Sequence, residues 1–521
     1  MRHDKTDSFF LISMLALVVG LGGCDLTDYN DNPNEPTEGN PDAILSKAQR
    51  DLAFNTHGDV MERMNINAQY TTENQYTGRY GTVSYEWGDV FVSINDLREV
   101  KNLSAESNSA TQANIEAVST IMQAWAFQIL TDVYGDIPFE EALQGTETRS
   151  PSYTPQEEIY PALVDSLDQA IGKISTSDPG PASDLIHGGD MEKWRRFANG
   201  LKMRVGIRAV DADREFAERV INEANGNALQ SNKDNTYFQF STSSTHRSPY
   251  FDNRFTAGRD DYDASDRFVA AMSQYSVIDP RMDAYFEQVS STTAPCEDGS
   301  GEYQGFDFEN EQQAATEVKN ATPTCEFSRP EPFWSAGPSG GGDAYAPMMY
   351  YDEVLITKAE AAARGIISGS PKTYLRSAIE ASVNFYGNVV PSTDISGSDT
   401  ETQDYIDAVL SDYDQSGFEQ VIGEQRWFAF YMNDVQGWST FRRLDFENWH
   451  GPPVGGVAND FGTFIPLRAG YPSSEQQLNS DSYEAAVERQ FGGVNGDDPG
   501  SYLWWDEENS LIPEESRYQA N

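Results

Sequence analysis

The feature that most constrains the fold is a helical period of apolar residues, which recurs in two blocks of the chain. Helices are predicted in the first block, residues 41–227, over 41–54, 111–133, from 155 onward, 191–210 and 214–223. In the second block, residues 349–445, they are predicted from about 350, over 375–385 and over 418–431, with a turn at Gly365–Pro371. Small residues at Ala359–Ala363 suit crossing points between antiparallel helices. The pattern indicates a mainly α scaffold of degenerate tetratricopeptide-type helix pairs, without a strict repeat of about 34 residues.

Two other segments carry little helical period. Residues 228–348 are rich in Gly, Pro, Ser, Thr, Asp and aromatic residues, and the same composition returns over residues 446–521. Loops of this length inside a compact protein are usually functional or packed over the scaffold. We therefore expect these two segments to form a loop-rich ligand lobe that contains little strand.

The N-terminus predicts export and a lipid anchor. An apolar run, Phe9–Leu21, follows basic residues and is too short to cross a bilayer core of about 30 Å. It ends in Leu21-Gly22-Gly23-Cys24, small residues before a cysteine, as lipoprotein cleavage requires. We predict a signal peptide at residues 1–23 and lipid attachment to Cys24. An ordinary secretory signal with a chance cysteine is the alternative.

The residues after Cys24 are polar and acidic. Such a segment has little apolar surface to bury, so residues 24–40 are predicted to be a lipidated flexible tether and residues 41–521 the folded domain. No other apolar run approaches the length of a membrane-spanning helix.

The charge balance excludes one class of partner. The chain has 83 acidic and 36 basic residues, a net charge of −47, which argues strongly against nucleic acid as a ligand. An acidic, Lys-poor surface is typical of a halophilic protein, because high salt screens its self-repulsion. A cation-binding surface is the alternative interpretation.

Two further cysteines lie in one polar stretch of the chain. Outside the cytoplasm, Cys296 and Cys325 could form a disulfide, which would close a loop of roughly 30 residues and contribute about 3 kcal/mol. Two free thiols are the alternative.

Short motifs along nearly the whole mature chain resemble those of one family, in the same order. They are Asn32–Thr37, Pro41–Leu45, Thr131–Phe139, Glu141–Leu143, Trp194–Arg204, Asp279–Met282, Tyr351–Leu355, Lys358–Ala362, Gln436–Trp438 with Arg442–Arg443, Tyr471–Glu475 and Trp504–Asp506. The sequence resembles the SusD/RagB family of nutrient-binding outer-membrane lipoproteins, and within it the branch called SusD-like type 2.

This resemblance implies both an architecture and a role. It implies four tetratricopeptide-type helix pairs, a loop-rich ligand lobe, and a lipid-anchored protein on the outer face of the outer membrane. It implies a SusC-like TonB-dependent transporter as partner, which the protein caps as a lid swinging on its tether. It also implies capture of an oligosaccharide or, in some members, a peptide, without catalysis and without a cofactor.

Loop-borne aromatic residues are the candidates for ligand contact. Flat apolar rings stack on sugars, and planar polar groups hydrogen bond to hydroxyls, whereas aromatics at helical spacing usually belong to the core. The predicted ligand-binding residues are Asn74, Tyr76, Tyr80, Trp87, Arg254, Phe255, Trp334 and Tyr345. Loop packing or contact with the transporter is the alternative for each of them.

The charged motif residues are given a structural role instead. Among so many acids, arginines on shared helices are expected to form internal ion pairs, and acids at helical spacing to brace neighbouring helices. This prediction covers Arg195, Arg196, Arg204, Arg442, Arg443, Glu353, Lys358 and Glu360.

No catalytic or metal-binding motif is found in the sequence. The five histidines show no metal-ligand spacing, and there is no nucleophile elbow, phosphate-binding loop or dinucleotide-binding glycine motif. We therefore predict no catalytic residue and no metal site. Two alternatives remain: a surface helical-repeat scaffold that binds another protein, and a glycan hydrolase, because no pair of carboxylates can be excluded among 83 acids.

Overall fold

A computed structural model describes residues 39–57, 64–73, 85, 87–106, 109–144, 148–259, 261–289, 303–306, 327–446, 449, 466–493, 497 and 500–506. The predicted signal peptide, Cys24, nearly all of the tether, and the possible disulfide between Cys296 and Cys325 lie outside these residues. So do the predicted ligand residues Asn74, Tyr76 and Tyr80.

The first block of the chain is helical, as its apolar period predicts. Its helices are α1 (Pro41–Thr56), α2 (Gly88–Ala105), α3 (Ala110–Tyr134), α4 (Gln156–Lys173), α5 (Met191–Arg208) and α6 (Arg214–Ala224). Side chains cap three of them, because Ser109, Asp190 and Asp213 accept hydrogen bonds from backbone N–H groups of the first turn. Helix α2 was not predicted, although Val90, Ile94 and Leu97 form a buried stripe along it.

The segment between the blocks contains short elements. Its helices are α7 (Asp266–Met272), α8 (Met282–Tyr285) and α9 (Phe333–Ala336).

Three antiparallel strand pairs are described: β1 (Thr71–Glu73) with β5 (Tyr262–Ala264), β2 (Ile137–Pro138) with β3 (Tyr153–Thr154), and β4 (Thr236–Gln239) with β6 (Tyr345–Met349). The expectation of little strand in this lobe is confirmed.

The second block is helical and continues further than predicted. Its helices are α10 (Tyr351–Ala363), α11 (Pro371–Val389), α12 (Thr400–Ser416), α13 (Phe418–Ala429), α14 (Asp434–Leu444), α15 (Ser473–Leu478) and α16 (Ser480–Phe491). The last two correct the view that the chain after residue 445 consists of loops. Helix α16 buries only Tyr483, Ala486 and Val487, so its apolar stripe is short and hard to detect in the sequence.

Consecutive helices pack as pairs, which confirms the tetratricopeptide-type scaffold. The pairs are α1–α2, α3–α4, α5–α6, α10–α11 and α13–α14. Within the described part of the chain, no helix has the length and apolar character that crossing a membrane requires.

Buried ion pairs hold helices of the scaffold together, and one of them joins the two blocks. Arg204 on α5 forms a bidentate pair with Glu353 on α10, at 2.6 and 2.7 Å, and both side chains are 2% exposed. Glu360 on α10 binds Arg426 of α13 at 3.1 Å and Arg443 of α14 at 2.6 Å. The prediction of internal ion pairs is confirmed for these residues.

The remaining charged motif residues divide into two groups. Arg195 and Arg196 both pair with Glu192 one turn earlier on α5, as predicted. Arg442 instead donates to backbone carbonyls and lies 3.7 Å above the ring of Trp438. Among the described residues Lys358 has no ion-pair partner, so the prediction was wrong for Arg442 and Lys358.

An aromatic cluster fills the core where the blocks meet the linking segment. Tyr431 stacks on Tyr285 at 4.4 Å between ring centroids, and the cluster also includes Tyr70 and Trp427. The Tyr70 hydroxyl donates to the carbonyl oxygen of Trp427 at 2.7 Å. That hydroxyl occupies the space of a side chain at Gly437, where an added Cβ would lie 2.0 Å from it.

Candidate functional site

Two tryptophans predicted to contact ligand are packed inside the protein. Trp334 is 1% exposed, and its Nε1 donates to the carbonyl oxygen of Ala284 at 2.9 Å. Trp87 is 9% exposed, and its ring packs against Tyr134 and Tyr471. The expectation that these two rings face the solvent is wrong, because a position outside a long helix does not decide which way a ring points.

Tyr345 lies behind a second ring. Its side chain on β6 is 8% exposed and stacks on Tyr237 of β4, with 4.2 Å between centroids and 15° between planes. Phe333 on α9 packs against its edge at 5.3 Å. Tyr345 therefore supports the surface around it and exposes little of its own ring.

Arg254 and Phe255, in contrast, are parts of a surface group that we call the aromatic patch: Arg247, Phe251, Arg254 and Phe255. Phe255 is 48% exposed, and its ring lies 5.1 Å from that of the partly buried Phe251. A helical turn, Pro249–Phe251, continues into a π-helical turn, Asp252–Thr256, which places the two rings on one side. The patch presents two neighbouring apolar faces near solvent.

A guanidinium group lies over each ring of the patch. The Cζ of Arg247 lies 4.9 Å from the ring centroid of Phe251, and that of Arg254 lies 5.3 Å from the ring of Phe255. Arg254 is fixed by the carbonyl oxygen of Pro330 at 2.5 Å and by Glu287 at 2.8 Å. Such fixed groups lose little conformational freedom when a ligand binds.

Arg247 is held in the same way, by neighbours on the π-helical turn. Its Nε donates to Asp252 at 2.7 Å and its Nη2 donates to Thr256 at 2.9 Å. Both arginines of the patch are thus held by ion pairs rather than free to rotate.

A glycine turn closes one side of the patch. Gly342 adopts φ +99°, and a Cβ there would lie 2.8 Å from the Cβ of Arg247 and 3.2 Å from the ring of Phe251. Its carbonyl oxygen accepts a hydrogen bond from the backbone N–H of Ser248 at 2.8 Å. Only glycine permits this close approach of the backbone to Arg247 and Phe251. Packing therefore explains the glycine at the end of the Gly340–Gly342 sequence.

A cleft between α1 and α2 opens near the patch. Its volume is about 500 Å³, within the range of small-ligand sites. We call it the α1–α2 cleft, and its lining residues are Arg50, Asp51, Phe54, Asn55, Asp89, Val92, Ser93 and Thr245. The cleft is therefore lined by one aromatic ring, one aliphatic side chain and several planar or hydroxyl-bearing groups.

One loop connects the cleft to the patch. Thr245, which lines the cleft, lies two residues before Arg247, which belongs to the patch. The same loop contacts the glycine turn, since a Cβ on Gly341 would lie 2.8 Å from the Cγ2 of Thr242. The cleft and the patch thus border the same loop.

The charges of the cleft bear on whether it could be catalytic. Burial alone would raise the pKa of Asp51, but hydrogen bonds from Lys47 and Arg50 lower it below its ordinary value. A glycosidase needs a general acid with a raised pKa. Asp51 has the opposite shift and is suited to accepting hydrogen bonds.

The α1–α2 cleft was not predicted from the sequence. Its residues come from α1, from the unpredicted helix α2 and from a distant loop, so only the packing of these elements brings them together. One signal could have been found: Val92 lies outside the buried stripe of α2 and is 58% exposed.

Other cavities are less suited to a large ligand. A buried cavity beside His57 and Asp434 has a volume of about 30 Å³, enough for about one water. A third opening, of about 300 Å³, is lined by Trp504, Arg489 and the start of α4. The patch and the cleft together combine apolar rings and fixed polar groups with a larger space than either of these two cavities.

Comparison with solved structures shows the fold. A chitin-binding protein superposes with a TM-score of 0.74 at 22% identity, over 90% of this chain and 100% of the other. A SusD homologue from Bacteroides fragilis gives a TM-score of 0.73 at 21% identity, and a Bacteroidetes SusD-like protein gives 0.71 at 21%, with the same coverage. No curated protein sequence matches this chain significantly.

A family model gives the closer classification. The model for SusD-like type 2 proteins, described as starch-binding and associating with the outer membrane, matches residues 33–472. That match extends over well more than half of the chain and includes both helical blocks and the segment between them. The protein therefore belongs to the SusD-like type 2 family of nutrient-binding proteins associated with the outer membrane.

Proposed function

We propose that this protein captures an oligosaccharide at the cell surface and delivers it to a TonB-dependent outer-membrane transporter. The observation that carries the proposal is the exposed ring of Phe255 beside the partly buried ring of Phe251, with their two fixed arginines, next to a cleft of about 500 Å³. Rings stack on the apolar faces of sugars, and guanidinium and amide groups bind hydroxyl oxygens.

Two comparisons favour a sugar over a peptide. The family description refers to starch, and one structural relative is named a chitin-binding protein. The cleft also matches a neutral, hydroxyl-rich ligand, because Asp51, Asp89 and Asn55 can accept hydrogen bonds from hydroxyl groups. A peptide that binds more tightly than any glycan would reverse this assignment.

Capture and release need no chemistry in this account. The ligand is held at the aromatic patch and the α1–α2 cleft, and the protein acts as a lid that passes it to the transporter. Anchoring through a lipid on Cys24, a flexible tether at residues 24–40 and an outward orientation belong to the same proposal. Incubation with candidate glycans is expected to yield no new reducing ends, and their appearance would favour the hydrolase alternative.

The binding test removes one exposed ring. Phe255→Ala is expected to weaken oligosaccharide binding about tenfold or more, because loss of one stacked ring removes on the order of 1–3 kcal/mol. Isothermal titration of the mature protein with starch and chitin oligosaccharides measures this change in Kd.

A control variant tests whether binding depends on the patch or on any exposed apolar side chain. Leu478 on α15 is 77% exposed and far from the patch in sequence, and Leu478→Ala is expected to leave Kd unchanged. Equal affinity of the Phe255→Ala variant and the native protein would contradict the assignment of the patch, and a protein-binding scaffold would then gain support.

A further inference from the structure

The arginines that border the proposed ligand surface are already paired with carboxylates. The pairs are Arg247–Asp252 and Arg254–Glu287 at the aromatic patch, and Arg50–Asp51 in the α1–α2 cleft. An unpaired guanidinium group would suit a carboxylate or sulfate group of a ligand, because it binds such anions through two parallel hydrogen bonds. A paired one can still donate to a hydroxyl oxygen, but its charge is already compensated.

A lysine next to the cleft is paired as well. Lys47 of α1 lies 2.9 Å from Asp51 and 2.6 Å from Asp96 of α2. Lys47 and Arg50 therefore face two carboxylates between them. Arg50 is the one basic side chain among the described residues that line the cleft, so the cleft offers an anion no unpaired cation.

One carboxylate of the cleft, in contrast, has no cationic partner. Asp89 of α2 lines the cleft beside Val92 and Ser93, and its side chain forms no ion pair or hydrogen bond with any described residue. The hydroxyl of Ser93 donates to the backbone carbonyl oxygen of Asp89 at 3.0 Å, not to its carboxylate. Asp89 thus places an uncompensated negative charge at the wall of the cleft.

Carboxylates also surround Arg254 on the side of the patch. Burial raises the pKa of Glu331, although a hydrogen bond from Ser392 and the charge of Arg254 oppose this shift. The charges of Glu287 and Asp283 raise that pKa further. An anionic ligand on this side of the patch would therefore meet more carboxylates than guanidinium groups.

Two further arginines of the loop-rich lobe have acids of their own. Arg259 lies 3.3 Å from Asp261, and Arg329 lies 3.9 Å from Asp263. Neither arginine therefore leaves an unpaired positive charge that would offset the carboxylates around Arg254.

We propose that the ligand surface takes neutral glycans and rejects glycans that carry carboxylate or sulfate groups, and that Asp89 is one residue that determines this specificity. The proposal rests on the proposed function, since it names the ligand class of the same surface. An anionic sugar would bring its charge next to Asp89 without an unpaired cation to compensate it, and like charges at short range repel. A neutral sugar instead donates its hydroxyl hydrogens to the same carboxylate.

Titration with matched oligosaccharides tests this specificity. Starch oligosaccharides are compared with the same molecules oxidised to carboxylates at C6, and chitin oligosaccharides with their C6 sulfates. At constant ionic strength and about pH 8, where histidine is uncharged, the anionic member of each pair is expected to bind about tenfold more weakly or worse. Equal or tighter binding of the anionic member would overturn the proposal.

Two variants separate Asp89 from the general effect of a chain of charge −47. Asp89→Asn removes one negative charge but keeps an acceptor oxygen, and it is expected to reduce the ratio of the two Kd values in each pair about threefold. Asp404→Asn, at an exposed position of α12, removes the same charge elsewhere and should leave that ratio unchanged. A ratio that stays unchanged in Asp89→Asn, or that falls equally in both variants, would overturn the proposal.

The outcomes also separate this proposal from the proposed function. Binding of anionic oligosaccharides alone would overturn the specificity for neutral glycans and leave oligosaccharide capture intact. Absence of binding by every member of both pairs would contradict oligosaccharide capture itself, and the specificity with it.

Discussion

Phe255 and Trp334 are both aromatic residues of the segment between the helical blocks, but one is 48% exposed and the other 1%. The ring of Phe255 lies above a turn at the surface, with Arg254 beside it. The ring of Trp334 is surrounded by Tyr285, Phe333 and Tyr431. Phe255 is therefore accessible to a ligand, whereas Trp334 belongs to the core.

Trp334→Ala tests this division at a single residue. The substitution is expected to lower the free energy of unfolding by about 3–5 kcal/mol, because it leaves a cavity in the aromatic core and the Ala284 carbonyl oxygen without its donor. Chemical denaturation measures this loss, and titration of the variant under native conditions should give a Kd within about twofold of the native value. A stable variant that has lost oligosaccharide binding would show that Trp334 contacts the ligand.

Single residues also show which features of the structure could not be predicted from the sequence. Arg254 and Phe255 were predicted to contact ligand, and both belong to the patch, where Phe255 is exposed and Arg254 is partly buried. The burial of Trp87 and Trp334 could not be predicted, because it depends on rings such as Tyr471 and Tyr431 that lie far away in the chain. Tertiary contacts decide which way each ring points.

Helix α10 forms buried ion pairs with three other helices of the scaffold. Its Glu353 pairs with α5, and its Glu360 pairs with α13 and α14. Burial alone would raise the pKa of Glu360, but the charges of Arg443, Arg426 and Arg364 lower it to about 2. Its stabilising effect is thus fully present above its ordinary pKa of 4.5 and is lost as the pH falls toward 2.

The Glu360→Gln variant tests the pH dependence of the stabilisation by Glu360. At pH 7 the variant is expected to be about 3–5 kcal/mol less stable to unfolding, because the buried Arg426 and Arg443 and the partly buried Arg364 lose their shared carboxylate. The difference from the native protein should stay constant above pH 5 and shrink between pH 4.5 and pH 2, as measured by urea denaturation across pH. Glu218→Gln, at an exposed pair with Arg214, serves as control and should change stability by less than about 1 kcal/mol. A pH-independent difference would contradict the assigned charge state of Glu360.

Helices were predicted best where their apolar stripe is long. Helix α3 buries residues along most of its length and was predicted to within one residue at each end. Helices α2, α7–α9, α12 and α14–α16 were not predicted. For α16 the reason is physical, since three buried side chains among polar neighbours give a weak period. The α1–α2 cleft was missed because one of its two walls, α2, was not recognised as a helix in the sequence.

For the molecule as a whole, the family match and the ligand surface support one account, in which an exported helical scaffold presents rings and fixed arginines to nutrient. Cys24→Ser tests the anchoring part of this account. The variant is expected to move from the outer-membrane fraction to the soluble fraction, because no acyl chain remains to hold it. Fractionation followed by immunoblotting measures this, and a variant that stays in the membrane fraction would contradict lipid anchoring at Cys24.

Oligosaccharide is proposed to bind at the aromatic patch and the α1–α2 cleft, and a crystal structure of the mature protein with bound oligosaccharide would locate the binding site. The account predicts a sugar ring in van der Waals contact with Phe255 or Phe251, with a hydroxyl group within hydrogen-bond distance of Arg247, Arg254 or Thr245. Sugar density only at another surface, such as the opening beside Trp504, would contradict it.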